Sequence, residues 1–264
     1  MTYFLLIFTG LGVGLISTIF GVGGGVIAIP VLYELYPQVD PKIVISSSMG
    51  MIFINSIINT RNFIKKDIKV PLRTIKLMLP GILIGVLSGV HFATQVSPRS
   101  LKLIFATVTL LTCLRMLIIT TNSSSSTDSP PCKIRTFSVC LLGGLVSGMT
   151  GLGGGAVMVP LFISVLNISL KKVSAYSNIA MGAATFFGVL KFSFTETTSQ
   201  VASGLSILKV NAVDFNIILP LSLGALLISK SGVKIGSKLS PRVTKNLFIT
   251  ILFLISTRIF YQNW

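Results

Sequence analysis

Acidic residues are scarce in this chain: six Asp and Glu stand against 22 Lys and Arg in 264 residues. Charged residues of both signs make up 11%, where soluble domains carry about 25%. Too few charges remain to cover a water-facing surface. There is one histidine, His91, and three cysteines, Cys113, Cys132 and Cys140, without C-x-x-C spacing. Neither a metal site, a disulfide framework nor a nucleophile–base pair has support, so no cofactor is expected and an enzyme is set aside. Glu34, Asp40, Asp67, Asp128, Glu196 and Asp214 all fall at or near loops, which leaves no buried acid as a coupling site. Strand-length alternation of apolar and polar residues is also missing, which argues against an outer-membrane barrel. No basic residue precedes Lys42. The N-terminus thus lacks the charged region of a cleavable signal, and the first apolar run is read as part of the mature fold.

What the chain has in quantity is apolar length. Hydrophobic residues are 52% of the sequence and the mean hydropathy is +0.88. Apolar runs span 2–20, 43–58, 71–90, 101–120, 173–190, 210–228 and 247–259, each approaching the ~20 residues that cross ~30 Å of hydrocarbon as a helix. The net charge of +16 does not point to nucleic acid. The basic residues lie between and at the ends of the apolar runs, the usual orientation signal of a membrane protein, and no segment outside the runs is long enough for a recognition fold.

An internal duplication organises the chain. GVGGGVIAIP, from Gly21 to Pro30, recurs as GLGGGAVMVP from Gly151 to Pro160. At the same offset Leu11, Gly14, Leu15 and Ser17 meet Leu141, Gly144, Leu145 and Ser147, and Lys42, Ser47 and Met51 meet Lys172, Ser177 and Met181. Further on, Ser97-Pro98-Arg99 matches Ser240-Pro241-Arg242, and another arginine follows each at equal distance, Arg115 and Arg258. The chain reads as one transmembrane domain over 1–264, with repeat one at 1–120, a Ser-rich linker at 121–132 and repeat two at 133–264.

Loop charges arrange the repeats. The loop after the second long run carries Arg61, Lys65, Lys66 and Lys69, whereas its counterpart at 192–206 carries Glu196 and no basic residue. The second half instead gathers Lys230, Lys234, Lys238, Arg242 and Lys245 around its last loop. Basic loops favour the cytoplasm, so equivalent loops are expected on opposite faces, an inverted repeat of the kind found in secondary transporters. The expected fold is an all-α polytopic integral membrane protein, two inverted repeats of about four long spans, each with a glycine-broken first helix.

The glycines carry the chemistry. Gly21, Gly23, Gly24 and Gly25, and again Gly151, Gly153, Gly154 and Gly155, interrupt an apolar run at a cost of about 0.8–1 kcal/mol each relative to Ala. Broken helix at membrane depth is tolerated where it is buried in protein or lines a wet cavity. A helix starting after such a break presents free N–H groups and its positive dipole end, a ready anion site that glycine lets a ligand approach. Close helix packing is the competing account of the same glycines. A dinucleotide-binding loop is not, since it needs a strand and a soluble βαβ unit.

The paired G-x-G-G-G-x-x-x-x-P segments, with Pro30 and Pro160 at the same offset, resemble those of the sulfite exporter TauE/SafE family of membrane permeases. The resemblance covers the whole chain and its duplicated plan. It implies a multi-pass protein of the bacterial cytoplasmic membrane whose partners are the lipid bilayer and a small anionic substrate, typically a sulfur-containing oxyanion or an organosulfonate. A homo-oligomer is compatible with it.

Polar residues follow each glycine segment. Ser48, Asn55 and Asn59 share one helical face, and Asn178 and Thr185 match Ser48 and Asn55 in the second half. Two roles stay open for them, lining an oxyanion site with uncharged donors or gluing helices together at about 0.6 kcal/mol per contact. Arg115 and Arg258 lie near span ends and are expected to reach the headgroups. The function expected is secondary transport of a small anion by alternating access, with a passive anion channel or a membrane scaffold as the alternative.

Overall fold

In the computed structural model the described residues are 2–20, 23–65, 70–118, 132–197, 209–236 and 241–263. Gly21, most of the linker at 121–132, and parts of the basic loops at 66–69 and 237–240 lie outside them. Ten helices follow in order: α1 (Thr2–Phe20), α2 (Gly25–Leu35), α3 (Pro41–Lys65), α4 (Leu72–Gln95), α5 (Pro98–Ile118), α6 (Lys133–Thr150), α7 (Gly155–Ser164), α8 (Leu170–Phe192), α9 (Phe215–Gly236) and α10 (Pro241–Asn263). One short hairpin, Lys209–Val210 paired with Val213–Asp214, interrupts this helical plan before α9. The hydroxyl of Ser46 ties it to α3 by donating to the carbonyl of Ala212.

Among the described residues α3, α4 and the Lys172–Phe192 part of α8 are long and apolar enough to cross a bilayer. α1, α2, α7, α9 and α10 contain shorter apolar stretches. Large apolar side chains face outward, with Phe4 80% and Phe8 75% exposed. That outer surface suits hydrocarbon and not water.

The longest helix contacts are made by glycine. In α4, Gly81, Gly85 and Gly89 fall at four-residue spacing, and a Cβ added at Gly85 or Gly89 would run into the carbonyls of Leu141 and Leu145 on α6. From the other side, a Cβ at Gly144 or Gly148 would lie 2.7 or 2.5 Å from the carbonyl oxygens of Ile82 and Val86. Gly10 and Gly14 of α1 meet Leu221, Gly224 and Ala225 of α9 in the same manner. Small residues at this spacing let backbones approach where no hydrophobic effect drives helices together. Both pairs run parallel, because contacting residues rise together in number along the two chains.

α3 and α8 run antiparallel through the middle. Met49 touches Gly188, Ser56 touches Gly182, and Asn178 bonds to Ser56 and Thr60. In α5 and α10 the thiol of Cys113, late in one helix, points to the carbonyl of Ile249, early in the other. Thus α4 packs on α6 and α1 on α9, so the first helix of each half rests on the fourth helix of the other.

Chain direction fixes the path of α2. Gly50 of α3 meets Ile218 of α9, and farther along Asn55 and Asn59 lie beside Ala225 and Leu226. So α3, α9 and α1 all point the same way. Because α2 ends where α3 begins, it returns toward the face where α1 started. α1 and α2 therefore run in opposite senses, with Gly23 and Gly24 just before the start of α2.

Candidate functional site

The same sequence gives the same local backbone twice. Gly23 and Gly24 have φ of 84° and 77°, and Gly153 and Gly154 have 71° and 77°. Only glycine adopts this left-handed region without strain. Gly24 and Gly154 are the N-caps of α2 and α7, with ψ of −13° and −14°. Their carbonyls accept the first helical bonds, from Ile27 and Ala28 at 3.1 and 3.0 Å and from Val157 and Met158 at 3.1 and 2.7 Å. Neither cap supplies a side chain to the N–H groups that precede these bonds. Each short helix therefore begins with donors facing inward and with the positive end of its dipole exposed to the interior.

The two turns touch each other. A Cβ on Gly25 would lie 2.9 Å from the carbonyl oxygen of Gly151 and 3.1 Å from the Cα of Leu152. Ile52, midway along α3, reaches both turns, standing 2.8 Å from a Cβ at Gly25 and 3.0 Å from one at Gly153. The sulfur of Met181 of α8 would lie 2.7 Å from a Cβ at Gly23. Gly23, Gly24, Gly25 and the run from Gly151 to Gly155 are buried throughout.

The polar residues expected beside the turns divide among roles. Ser48 donates its hydroxyl to the carbonyl of Gly151 at 3.0 Å, linking α3 to the other half's turn. Asn178 donates to the carbonyl of Ser56 at 2.9 Å and to Thr60 Oγ1 at 2.8 Å, which holds α8 to α3. Thr185 donates to the carbonyl of Met181 in its own helix at 2.7 Å, while its methyl group sits 3.5 Å from a Cβ at Gly153. Asn55 lines a small cavity with Ser17, Thr18 and Asn59. Pro30 and Pro160 each occupy the sixth position of their short helix.

Sequence reasoning did not single out the hydroxyls of Ser47, Ser147 and Ser177. Each is buried with no hydrogen-bond partner among the described residues, and unpaired buried groups of this kind are few in folded proteins. Ser47 and Ser177 hold equivalent places in the two repeats. Ser147 is the equivalent of Ser17, whose Cβ stands 3.1 Å from a Cβ placed on Gly24. The signal available was serine recurring at the same position in both copies.

Apart from Asp214, which is buried at 2% exposure where no buried acid was expected, the described charged groups lie at the periphery. Arg258 pairs with Glu34 at 2.9 Å, both partly exposed. Gln262 donates to the same carboxylate at 2.7 Å. Arg115 donates to Ser164 Oγ at 2.6 Å. Each arginine thus reaches the C-terminal end of the other half's short helix, and neither is placed at the turns. Lys102 stands over the ring of Tyr33 at 5.0 Å, beside a 480 Å³ cavity between α2, α5 and α10. Asp40 and Asp214 cap α3 and α9 by accepting from the N–H of Lys42 and Asn216 at 2.9 and 2.8 Å. Among the described residues no cluster of three His, Cys, Asp or Glu is placed to hold a metal.

The sulfite exporter TauE/SafE family profile matches residues 6–259. A "probable membrane transporter protein" of Haemophilus influenzae is 28% identical over 97% of this chain and 94% of its own length. Proteins with the same description from Methanocaldococcus jannaschii and Bacillus subtilis are 24% and 23% identical over 94% and 100% of this chain, covering 91% and 99% of their own lengths. No solved structure matches significantly.

Proposed function

The chain belongs to the sulfite exporter TauE/SafE family, and from that premise we propose that it is a secondary transporter of small anions, sulfur-containing oxyanions or organosulfonates, working by alternating access. It is a multi-pass membrane transporter. The finer reading assigns one domain over 1–264 built as two inverted repeats, in the bacterial cytoplasmic membrane, with the basic loop around Arg61 on the cytoplasmic side. What supports the inversion is the antiparallel course of α3 and α8, equivalent helices of the two halves, together with the exchanged pairing of α1 with α9 and α4 with α6.

The observation that carries the anion reading is the contact of the two glycine turns, where Gly25 at the N-terminus of α2 lies against Gly151 and Leu152, a few residues before the N-terminus of α7, and where neither glycine N-cap offers a side chain to the helix N–H groups. Each end acts as about half a positive charge, so the pair roughly balances a monoanion. Binding by dipoles and neutral hydroxyls, with no ammonium or guanidinium, also lets the ligand leave again. Ser47, Ser147 and Ser177 are further buried hydroxyls without a partner among the described residues, and Ser147 stands four residues before Gly151.

The test is counterflow in proteoliposomes with sulfate, thiosulfate and isethionate as probes. Internal anion is expected to stimulate uptake of the labelled one. Stimulation absent while flux persists makes the protein a channel, and no flux at all leaves glycine-mediated packing as the role of the turns. Thermal shift gives a second readout: the transported anion stabilises the purified protein and an isosteric neutral compound does not.

A further inference from the structure

Beyond Ile52, in the direction α3 travels, lies a small polar chamber. It is lined by Gly14, Ser17 and Thr18 of α1, Asn55, Ile58 and Asn59 of α3, and Ala225 and Leu226 of α9, and its volume is about 10 Å³. That is room for about one water centre. Ser17 and Asn55 are buried, at 5% and 8% exposure. The chamber adjoins the first glycine turn, because Ser17 Cβ lies 3.1 Å from a Cβ built on Gly24. Past Asn59 the same helix ends in Arg61 and Lys65, both exposed.

The second half has no such series. The repeat equivalents of Ser17, Thr18, Asn55 and Asn59 are Ser147, Gly148, Thr185 and Val189. Thr185, like Thr18, spends its hydrogen on its own helix, so the difference lies in the amides of Asn55 and Asn59, for which the second half has a threonine and a valine without a free donor. A ligand leaving the turns therefore meets two amides on one side of the molecule and, at the place equivalent to Asn59, an aliphatic side chain on the other.

We infer that the crevice between α1, α3 and α9 is the route by which an oxyanion passes between the glycine turns and the face bearing Arg61 and Lys65, and that Asn55 and Asn59 are the residues that select for it. The inference rests on the transport reading above. Uncharged amide and hydroxyl donors bind an oxyanion without trapping it, and two cations at the mouth concentrate anions there. The 10 Å³ chamber is the closed form of this crevice, and passage requires α1 or α9 to move away from α3.

The experiment uses the full chain in oriented membrane vesicles, with Cys113, Cys132 and Cys140 replaced by alanine. Asn59→Cys, Thr18→Cys and Val189→Cys are exposed to an anionic sulfonatoethyl and a cationic trimethylammonioethyl methanethiosulfonate. Asn59→Cys and Thr18→Cys are expected to react from the Arg61 face about tenfold faster than from the other, and with the anionic reagent preferred after correction for free-thiol rates. Methanesulfonate, which is inert toward thiols, should slow both. Val189→Cys should stay unmodified from either face. Equal reaction from both faces, preference for the cation, or a Val189→Cys that reacts as fast as Asn59→Cys overturns the route. A protein that exchanges anions by counterflow while Asn59→Cys and Thr18→Cys stay unmodified loses the route but keeps the transport reading. A protein that moves no anion loses both.

Discussion

Gly24 and Gly154 share a φ of 77° and ψ values one degree apart, yet the two turns are filled from opposite directions. Around Gly24 the space is taken by Val13, 2.7 Å from the position of an added Cβ. At the equivalent place the second half has Gly143, and Met158 of α7 lies across it where α2 has Ala28. One half fills the gap from the long helix and the other from the short one. Backbone conformation is held by glycine, which nothing else replaces without strain. Side-chain volume is free to trade places as long as the total is kept. The same division holds at the edges, where an ion pair, Arg258 with Glu34, stands opposite a neutral hydrogen bond from Arg115 to Ser164.

The comparison breaks most severely at the turns themselves. Gly24→Leu and Gly154→Leu should each abolish counterflow while the protein still elutes as a folded species from size exclusion, because a side chain at φ near 77° both strains the backbone and covers the N–H groups. Equal transport by either variant would show that the bends are dispensable. Next in size is the polar asymmetry. Asn59→Val should lower the initial transport rate about tenfold, the worth of roughly one hydrogen bond to a charged ligand, whereas Val189→Asn should leave it nearly unchanged. Equal effects would mean that the halves serve both faces alike.

The volume exchange gives a smaller effect with a built-in control. Ala28→Met should overpack the first turn by about 1–3 kcal/mol, read as a drop in the thermal midpoint in detergent. Adding Val13→Gly should recover part of that loss, a coupling expected only between residues that share a space. Additive losses would sink the reciprocal-filling account. Arg258→Gln should cost less than about 1 kcal/mol, since exposed ion pairs contribute little, and should alter transport only modestly. Loss of anion binding in that folded variant would move the substrate charge from the helix ends to a side chain.

Least disruptive is the chemistry at the start of the second half. The Cys132 thiol is held below the ordinary thiol range by the backbone N–H groups of Arg135 and Ile134, with the Arg135 charge adding to them. A lowered pKa means more thiolate at neutral pH, so maleimide labelling should be faster than for a free thiol and should fall as pH drops. Cys113 and Cys140, both buried, should stay unlabelled until the protein unfolds.

Much of the architecture is legible in the letters. Apolar length locates the long helices, and the repeated glycine segment falls at the start of both short helices, α2 and α7, because those signals are local to the chain. The pairing of halves is not local. Gly81, Gly85 and Gly89 stand at the spacing that brings membrane helices together, but nothing in that spacing names α6 as the partner. The polar residues show the same limit. Helical periodicity puts Ser48, Asn55 and Asn59 on one face, and Asn178 with Thr185 on another, but periodicity does not say what that face meets. In the fold Ser48 and Asn178 bond to other elements, Thr185 to its own helix, and Asn55 lines a chamber. Roles that depend on a neighbour arriving from the other repeat become visible only when both repeats are in place.

The exchange of partners between halves also sets an order of assembly during synthesis. The glycine face of α4 finds α6 soon after it is made, since only α5 and the linker intervene. The glycine face of α1, with Gly10 and Gly14, has no such neighbour until Gly224 and Ala225 leave the ribosome, some two hundred residues later. α1 is thus seated long after it is made. Until then its small-residue groove, Gly10 and Gly14, lacks the backbone that fills it in the fold.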